Sequence, residues 1–322
     1  MSVMTELTGQ LTHQIYLSVP LFVLIFTGYG LVRFARWPES VTEALNRFCF
    51  NIALPCMLFR VMSEFYKSPP VDARLLFAFF GSCLLVYLFG RLVAAKLFRL
   101  DGVSGSVFAL GGVFSNNVML GIPVATILLG QASLPSVALV LVFNGLILWT
   151  LVTISVEWAR TGNFSLPGIG RTLVSVIRNP IIIGILLGIS WSALHQPLPY
   201  VVSAPVNMLA QIAAPLSLVT LGMSLAGYKI RDGLRESYAI CVLKLILQPL
   251  VIWLLAWAIG LPLQESKVVV LLGSMAVGVN VYLMSQKFQV LQGASATSLL
   301  FSTVLSALTT PLFMMLMTLY YT

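Results

Sequence analysis

Gly111-Gly112-Val113-Phe114-Ser115-Asn116-Asn117-Val118-Met119-Leu120-Gly121-Ile122-Pro123 lies inside an otherwise apolar run and decides how the chain is read. An apolar run of about 20 residues crosses a bilayer core roughly 30 Å thick as one continuous helix. Paired glycines, adjacent amides and then a glycine and a proline interrupt this one. Glycine loosens a helix and admits close backbone approach, and Pro123 removes a donor and collides with the preceding turn. In hydrocarbon an unpaired amide costs several kcal/mol, so a break at this depth persists only where it is buried in protein or lines a wet cavity.

The surroundings agree with a membrane chain. Only 18 basic and 10 acidic residues occur among 322, against about a quarter charged in soluble domains. Spans are expected near residues 11–32, 40–63, 74–95, 104–130 and 134–158, then 173–194, 200–227, 236–260, 266–286 and 294–320. The first, with no basic residue before it and no small-residue cleavage site after it, reads as a retained helix and not a signal peptide.

Lysine and arginine alternate between loop sets. Arg33, Arg36, Arg91, Lys96, Arg99, Arg160, Arg171, Arg178, Lys229, Arg231, Arg235 and Lys287 fall on one side, and Lys67, Arg74 and Lys267 on the other. The rich side is expected to be cytoplasmic, which puts both termini outside. These residues form no like-charge run, so the net charge of +8 reads as a topology signal and not as nucleic-acid binding. Cys49, Cys56, Cys83 and Cys241 stand alone in apolar stretches, so packing is expected and neither a disulfide framework nor a metal site.

An offset of 160 aligns Pro20 with Pro180, Gly28 with Gly188, and Ile52-Ala53-x-Pro55 with Ile212-Ala213-x-Pro215. Three more loop residues bring Asn117-Val118 onto Asn280-Val281. Residues 1–160 and 173–322 are therefore expected to be five-helix repeats joined by a cytoplasmic linker at 161–172. An odd helix count turns the second copy upside down, an architecture of secondary transporters with sites at the midplane.

The expected fold is an all-α membrane protein of ten helices with broken fourth and ninth spans, hinged at Gly112, Gly121, Pro123, Gly278 and Val281. Half-helix N-termini favour anions, and Ser115, Asn116, Asn117 and Asn280 add neutral polar groups there. Lys244 lies about 14 Å along its helix from Arg235, near mid-membrane. It is expected to meet a substrate carboxylate or to brace backbone carbonyls at a break. Asn51 and Gln211, each one residue before the matched motifs, are expected on the opposite cavity wall. Glu43 with Arg47 and Arg60 with Glu64 have pairing spacing, Glu157 reads as an interfacial anchor, and His13 and His195 as surface residues near outer loop ends.

Ser115–Pro123, Asn51-Ile52-Ala53-Leu54-Pro55, Leu243-Lys244-Leu245-Ile246-Leu247-Gln248-Pro249 and Val279-Asn280-Val281-Tyr282-Leu283 together resemble the auxin efflux carrier family, particularly its bacterial malonate-carrier-like members. The resemblance covers nearly the whole chain. It implies a fold like that of bile-acid symporters and sodium/proton antiporters, with helices 1, 2, 6 and 7 as a dimerising scaffold and helices 3–5 and 8–10 as a moving transport domain. It also implies alternating-access transport of a small organic anion such as malonate across a bacterial-type inner membrane. By that resemblance Asn116 is the carboxylate-contacting asparagine, whereas internal symmetry selects Asn117. Plant members carry a proline in the second crossover, where this chain has Asn280-Val281.

Two other readings are an anion channel or transporter-like sensor, and an efflux carrier of a hydrophobic, auxin-like carboxylate. An intramembrane enzyme is disfavoured, because the chain has no GxSxG, HExxH or paired intramembrane carboxylates. No cofactor is implied. Uptake of an anion into an inside-negative cell would need a coupling ion, H+ or Na+, although no deep Asp or Glu is present to bind one.

Overall fold

The computed structural model describes residues 2–67, 70–162, 178–228 and 233–321, with side chains before residue 18 described only at Thr12 and Tyr16. The linker expected at 161–172 lies almost wholly outside them, as do the start of the span expected from 173, Arg171, Lys229, Arg231 and the side chain of His13.

The described residues are helical throughout, apart from turns and one isolated bridge. In chain order they are α1 (Ser2–Arg33), α2 (39–63), α3 (Arg74–Lys96), α4 (Gly102–Gly111), α5 (Asn117–Leu128) and α6 (Leu134–Thr161). The second half gives α7 (Pro180–Ser192), α8 (Tyr200–Gly227), α9 (Leu234–Ala258), α10 (Leu263–Ser274), α11 (Val279–Phe288) and α12 (Gln292–Tyr321). Five helices, α3, α6, α8, α9 and α12, are each long and apolar enough to cross a membrane by themselves. The interrupted pairs α4/α5 and α10/α11 lie where the fourth and ninth spans were expected.

Three helices contain a five-residue π turn, at Cys49–Ala53, Asn117–Gly121 and Leu243–Leu247. Each ends two residues before a proline: Pro55, Pro123 and Pro249. A proline ring cannot donate and collides with the carbonyl four residues earlier, and the wider π turn moves that carbonyl away. Opposite Pro123 the carbonyl is Met119 O, which accepts from Ser217 Oγ at 3.1 Å. Pro123 therefore lies inside the second half-helix, just past its π turn, and is not itself the break, which lies upstream between Gly112 and Asn116. Gly121 likewise belongs to the π turn. Pro215, the counterpart of Pro55, is accommodated inside α8 with no π turn.

Helix pairs cross the two halves reciprocally. α1 packs on α8, where a Cβ on Gly28 would stand 1.9 Å from Val219 O and one on Gly222 1.9 Å from Ile25 O. α7 packs on α2, where a Cβ on Gly188 would stand 2.5 Å from Met62 Cβ. Small residues permit backbone contact of this kind in membrane bundles. Gly28 and Gly188 are the pair matched at offset 160, and so are Val219 and Phe59, whose carbonyl is 2.7 Å from the position of a Gly188 Cβ.

The expected surface ion pairs are redistributed. Glu64 pairs with Lys67 at 2.8 Å instead of Arg60, and Glu43–Arg47 is not among the ion pairs of the described residues. His195 is exposed, with its ring 5.4 Å from that of Tyr66.

Candidate functional site

The two breaks meet. Ser115 and Val277 form an antiparallel bridge in which Gly278 N–H donates to Phe114 O at 2.7 Å and Asn116 N–H donates to Ala276 O at 2.9 Å. Gly278 allows this approach, because a Cβ there would lie 3.0 Å from Ser115 O and 3.0 Å from Phe114 Cδ1. The crossing exchanges hydrogen bonds that the interrupted helices no longer supply, which a buried backbone requires.

Polar side chains satisfy much of the remaining broken backbone. The buried Lys244 Nζ donates to Gly273 O at the C-terminal end of α10, and Gln248 Nε2, one turn further along α9, donates to Val113 O at 3.0 Å. Thr310 Oγ1 donates to Ser274 O at 3.1 Å, and Val277 N–H donates to Ser302 Oγ at 2.9 Å. One face of α9 thus braces both breaks. Of the two roles expected for Lys244, the contact matches bracing, since the residue does not line the cavity described next.

A cavity of about 420 Å³ opens beside the crossing, within the usual range for small-ligand sites. Ser115, Asn116, Asn117, Gly278 and Asn280 line it, so the structure brings these expected residues together. The other walls are Asn46 and Phe50 from α2, Asn144 from α6, Ser224 and Tyr228 at the end of α8, and Leu283 from α11. Asn117 is only 1% exposed, and neither amide atom has a hydrogen-bond partner. Asn116 Nδ2, Ser115 Oγ and Asn144 Oδ1 are buried without a partner as well.

Two helix N-termini face this space. The N–H groups of Asn117, Val118 and Met119 precede the first bonds of α5, which Leu120 and Gly121 make to Asn116 O at 3.2 and 3.0 Å. Those of Val279 and Asn280 precede the bond from Val281 to Gly278 O at 3.0 Å in α11. Such groups and their aligned dipoles favour an anion.

Several expected residues fall elsewhere. Asn51 and Gln211 are exposed on the outside of their helices and do not line the cavity; Asn46 and Phe50 face it from the same helix as Asn51. Val281 is buried behind the cavity, and Gly112 and Gly121 pack on Leu243 and Leu272 away from it. Asn46, Asn144 and Gln248 were not singled out in sequence. Their signal was available: Asn144 is the only amide between Leu134 and Trp158, and Gln248 follows Lys244 by one turn.

The family model described as "Membrane transport protein" matches residues 14–163 and 169–314, nearly all of both halves. The chain is 26% identical over 313 residues to a protein of Rhizobium meliloti (strain 1021) provisionally named malonate transporter, covering 95% of this chain and 94% of that one. It is 22% identical over 306 residues to the uncharacterized transporter YfdV of Escherichia coli (strain K12), covering 91% and 94%. It is also 21% identical over 357 residues to auxin efflux carrier component 8 of Arabidopsis thaliana, covering 92% and 95%. Apolar helices of spanning length, polar groups gathered at a crossing, and this full-length similarity to transporters lead to one assignment: the chain is a multi-pass membrane protein belonging to the membrane transport protein family, that of the auxin efflux carriers.

Proposed function

We propose that this protein is a secondary transporter that carries a small carboxylate, malonate-like in size, across a bacterial-type inner membrane by alternating access, with the anion held at the crossing of the two breaks. The observation that carries the reading is the pair of helix N-termini converging with unpartnered Asn116 and Asn117 on one 420 Å³ cavity. In this reading ten spans form two inverted repeats, 1–160 and 173–322, about the linker 161–172. The reciprocal packing of α1 on α8 and α7 on α2 supports it. Those four helices are helices 1, 2, 6 and 7, the proposed scaffold and homodimer surface, and the rest move as the transport domain. Tyr228 and Leu283 adjoin the basic stretch after Tyr228 and Lys287, the expected cytoplasmic side, which supports an inward-facing state with both termini outside.

A carboxylate with an apolar body, auxin-like in character, is a second reading favoured by Phe50, Phe114, Val118, Met119 and Leu283 in the walls. The test is counterflow of labelled malonate and of a labelled aromatic acetate in proteoliposomes. Saturable exchange of either, lost in Asn117→Ala and Asn280→Ala proteins that still fold, is the expected result. Ohmic current without saturable exchange would replace the carrier with a channel.

A further inference from the structure

Among the described residues, those lining the cavity include no Lys, Arg, His, Asp or Glu. The charged groups on its helices, Glu39, Glu43, Arg47, Arg60, Glu157, Arg160 and Lys287, lie outside it, and Lys244 Nζ is engaged by Gly273 O beyond the crossing. The positive potential on offer is therefore that of two helix N-termini, each equivalent to about half an elementary charge, or about one together. That matches a single carboxylate. The other polar wall, Asn46 and Asn144, is made of neutral amides, and Asn144 Oδ1 is a buried acceptor without a partner. A neutral amide offers an acceptor to the O–H of a carboxylic acid or the N–H of an amide, and it supplies none of the positive charge that a second ionised carboxylate would need.

We propose that the cavity selects singly charged carboxylates, and that a dicarboxylate enters it as the hydrogen-dicarboxylate, HOOC–R–COO⁻. The inference rests on the carboxylate site proposed above and specifies its charge state. The ionised end lies at the crossing against α5, α11 and Asn117, and the protonated or amide end lies against Asn144. The balance is simple: a dianion and one proton from the bulk form the monoanion that is carried, and the proton is released with the substrate on the far side. No protein carboxylate is then needed to couple proton and anion movement, because the transported molecule holds the proton on its own second oxygen pair. Of the ionisable side chains at the cavity, Tyr228 lines it and Tyr282 meets Tyr228 edge to face with ring centroids 4.8 Å apart. Cys49 precedes Phe50 on α2, and Cys83 and Lys244 lie behind the crossing. Phenols and thiols ordinarily titrate above pH 8, so the substrate and the buried Lys244 amine are the groups that can change charge between pH 5.5 and 8, and the half-amides tell the two apart, because a change at Lys244 would alter their competition as well.

The experiment is competition against counterflow by wild-type protein in proteoliposomes at pH 5.5, 6.5, 7.5 and 8. The competitors are malonate, its monoamide malonamate, succinate, succinamate and an aromatic acetate. Above the second ionisation of each diacid, its apparent affinity should fall about tenfold per pH unit with its monoanion fraction. The half-amides, anionic throughout, should compete equally at every pH. Lys229→Gln, at a basic position outside the described residues that follows Tyr228, should leave this pattern unchanged. Malonate that binds equally well or better at pH 8 than at 5.5 while malonamate is inert overturns the charge-state inference and leaves a carboxylate site standing, as does a profile that Lys229→Gln abolishes. Failure of every competitor, the aromatic acetate included, overturns the carboxylate site itself.

Discussion

Replacing Gly278 by Ala tests the crossing at its tightest point. The backbone there, φ −75° and ψ 146°, is open to alanine, so no conformational strain enters. The added methyl carbon would stand 3.0 Å from Ser115 O, 3.0 Å from Phe114 Cδ1 and 3.2 Å from Phe114 O. Two of these neighbours are backbone atoms held by the bridge itself, so they cannot turn aside as a side-chain tip would. Overpacking of this sort costs about 1–3 kcal/mol, partly offset by about 0.4–1 kcal/mol from the stiffer unfolded chain. A net loss of about 1–2 kcal/mol is expected, seen as a drop of a few degrees in the thermal melt of purified protein. The two bridged segments must part by a few tenths of an ångström, which moves the N-terminus of α11 away from Asn116 and should raise the half-saturation concentration of counterflow. Gly227→Ala, where nothing lies within 4 Å, is the matched control and should melt like wild type. A Gly278→Ala protein that melts and exchanges like wild type would refute the close crossing.

Gly222→Ala should be more severe, because its methyl would fall 1.9 Å from Ile25 O, inside the van der Waals radius of the backbone; loss of folded protein by size-exclusion chromatography is expected, and a normal yield of monodisperse protein would contradict the packing of α1 on α8. Gln248→Leu leaves Val113 O without its 3.0 Å donor, a cost of about 1–3 kcal/mol; a lowered melt with substrate-independent loss of exchange would mark a brace, whereas a change confined to substrate affinity would mark a contact. Asp101 caps α4 by accepting from Val103 N–H and Ser104 N–H at 2.8 and 3.0 Å. The Ser104 hydroxyl first, and then these amides, hold its carboxyl below the usual range. The cap therefore stabilises at pH above the ordinary carboxylate pKa of about 3.9, and its contribution disappears as pH falls through the lower folded value. Asp101→Ala should cost about 0.5–2 kcal/mol at pH 7 and progressively less as the pH drops below 4; equal melting shifts at pH 7 and 3 would exclude the cap.

The helices were legible because apolar length is a coarse signal that survives any packing, and the breaks because glycine, adjacent amides and proline contradict it locally. The cavity walls were less so. Asn51 was chosen by its place beside a matched motif, yet one residue along a helix turns a side chain by roughly 100°, enough to take it from the cavity to the outside. Asn46 and Phe50, spaced i and i+4, share the face that Asn51 leaves. Gln248 and Lys244 share a face for the same reason, but which carbonyls they would meet depends on segments nearly 30 residues and 135 residues away in the chain. The π turns were invisible as such, although a proline in the middle of an apolar run is the condition for each. Pro123 was read as a break because its ring forbids an ordinary turn, and a wider turn removed the conflict.

The reciprocal docking of α1 on α8 has a consequence for how the molecule is made. The notch at Gly28 fits Val219, a residue that a ribosome reaches some 190 positions later, roughly ten to forty seconds at usual elongation rates. Through that interval α1 waits in lipid with its glycine seam unfilled, while α7, arriving later, finds its own seat on α2 already built. Assembly is thus ordered by arrival, with α1, made before α2 and α7, locked in place only after them.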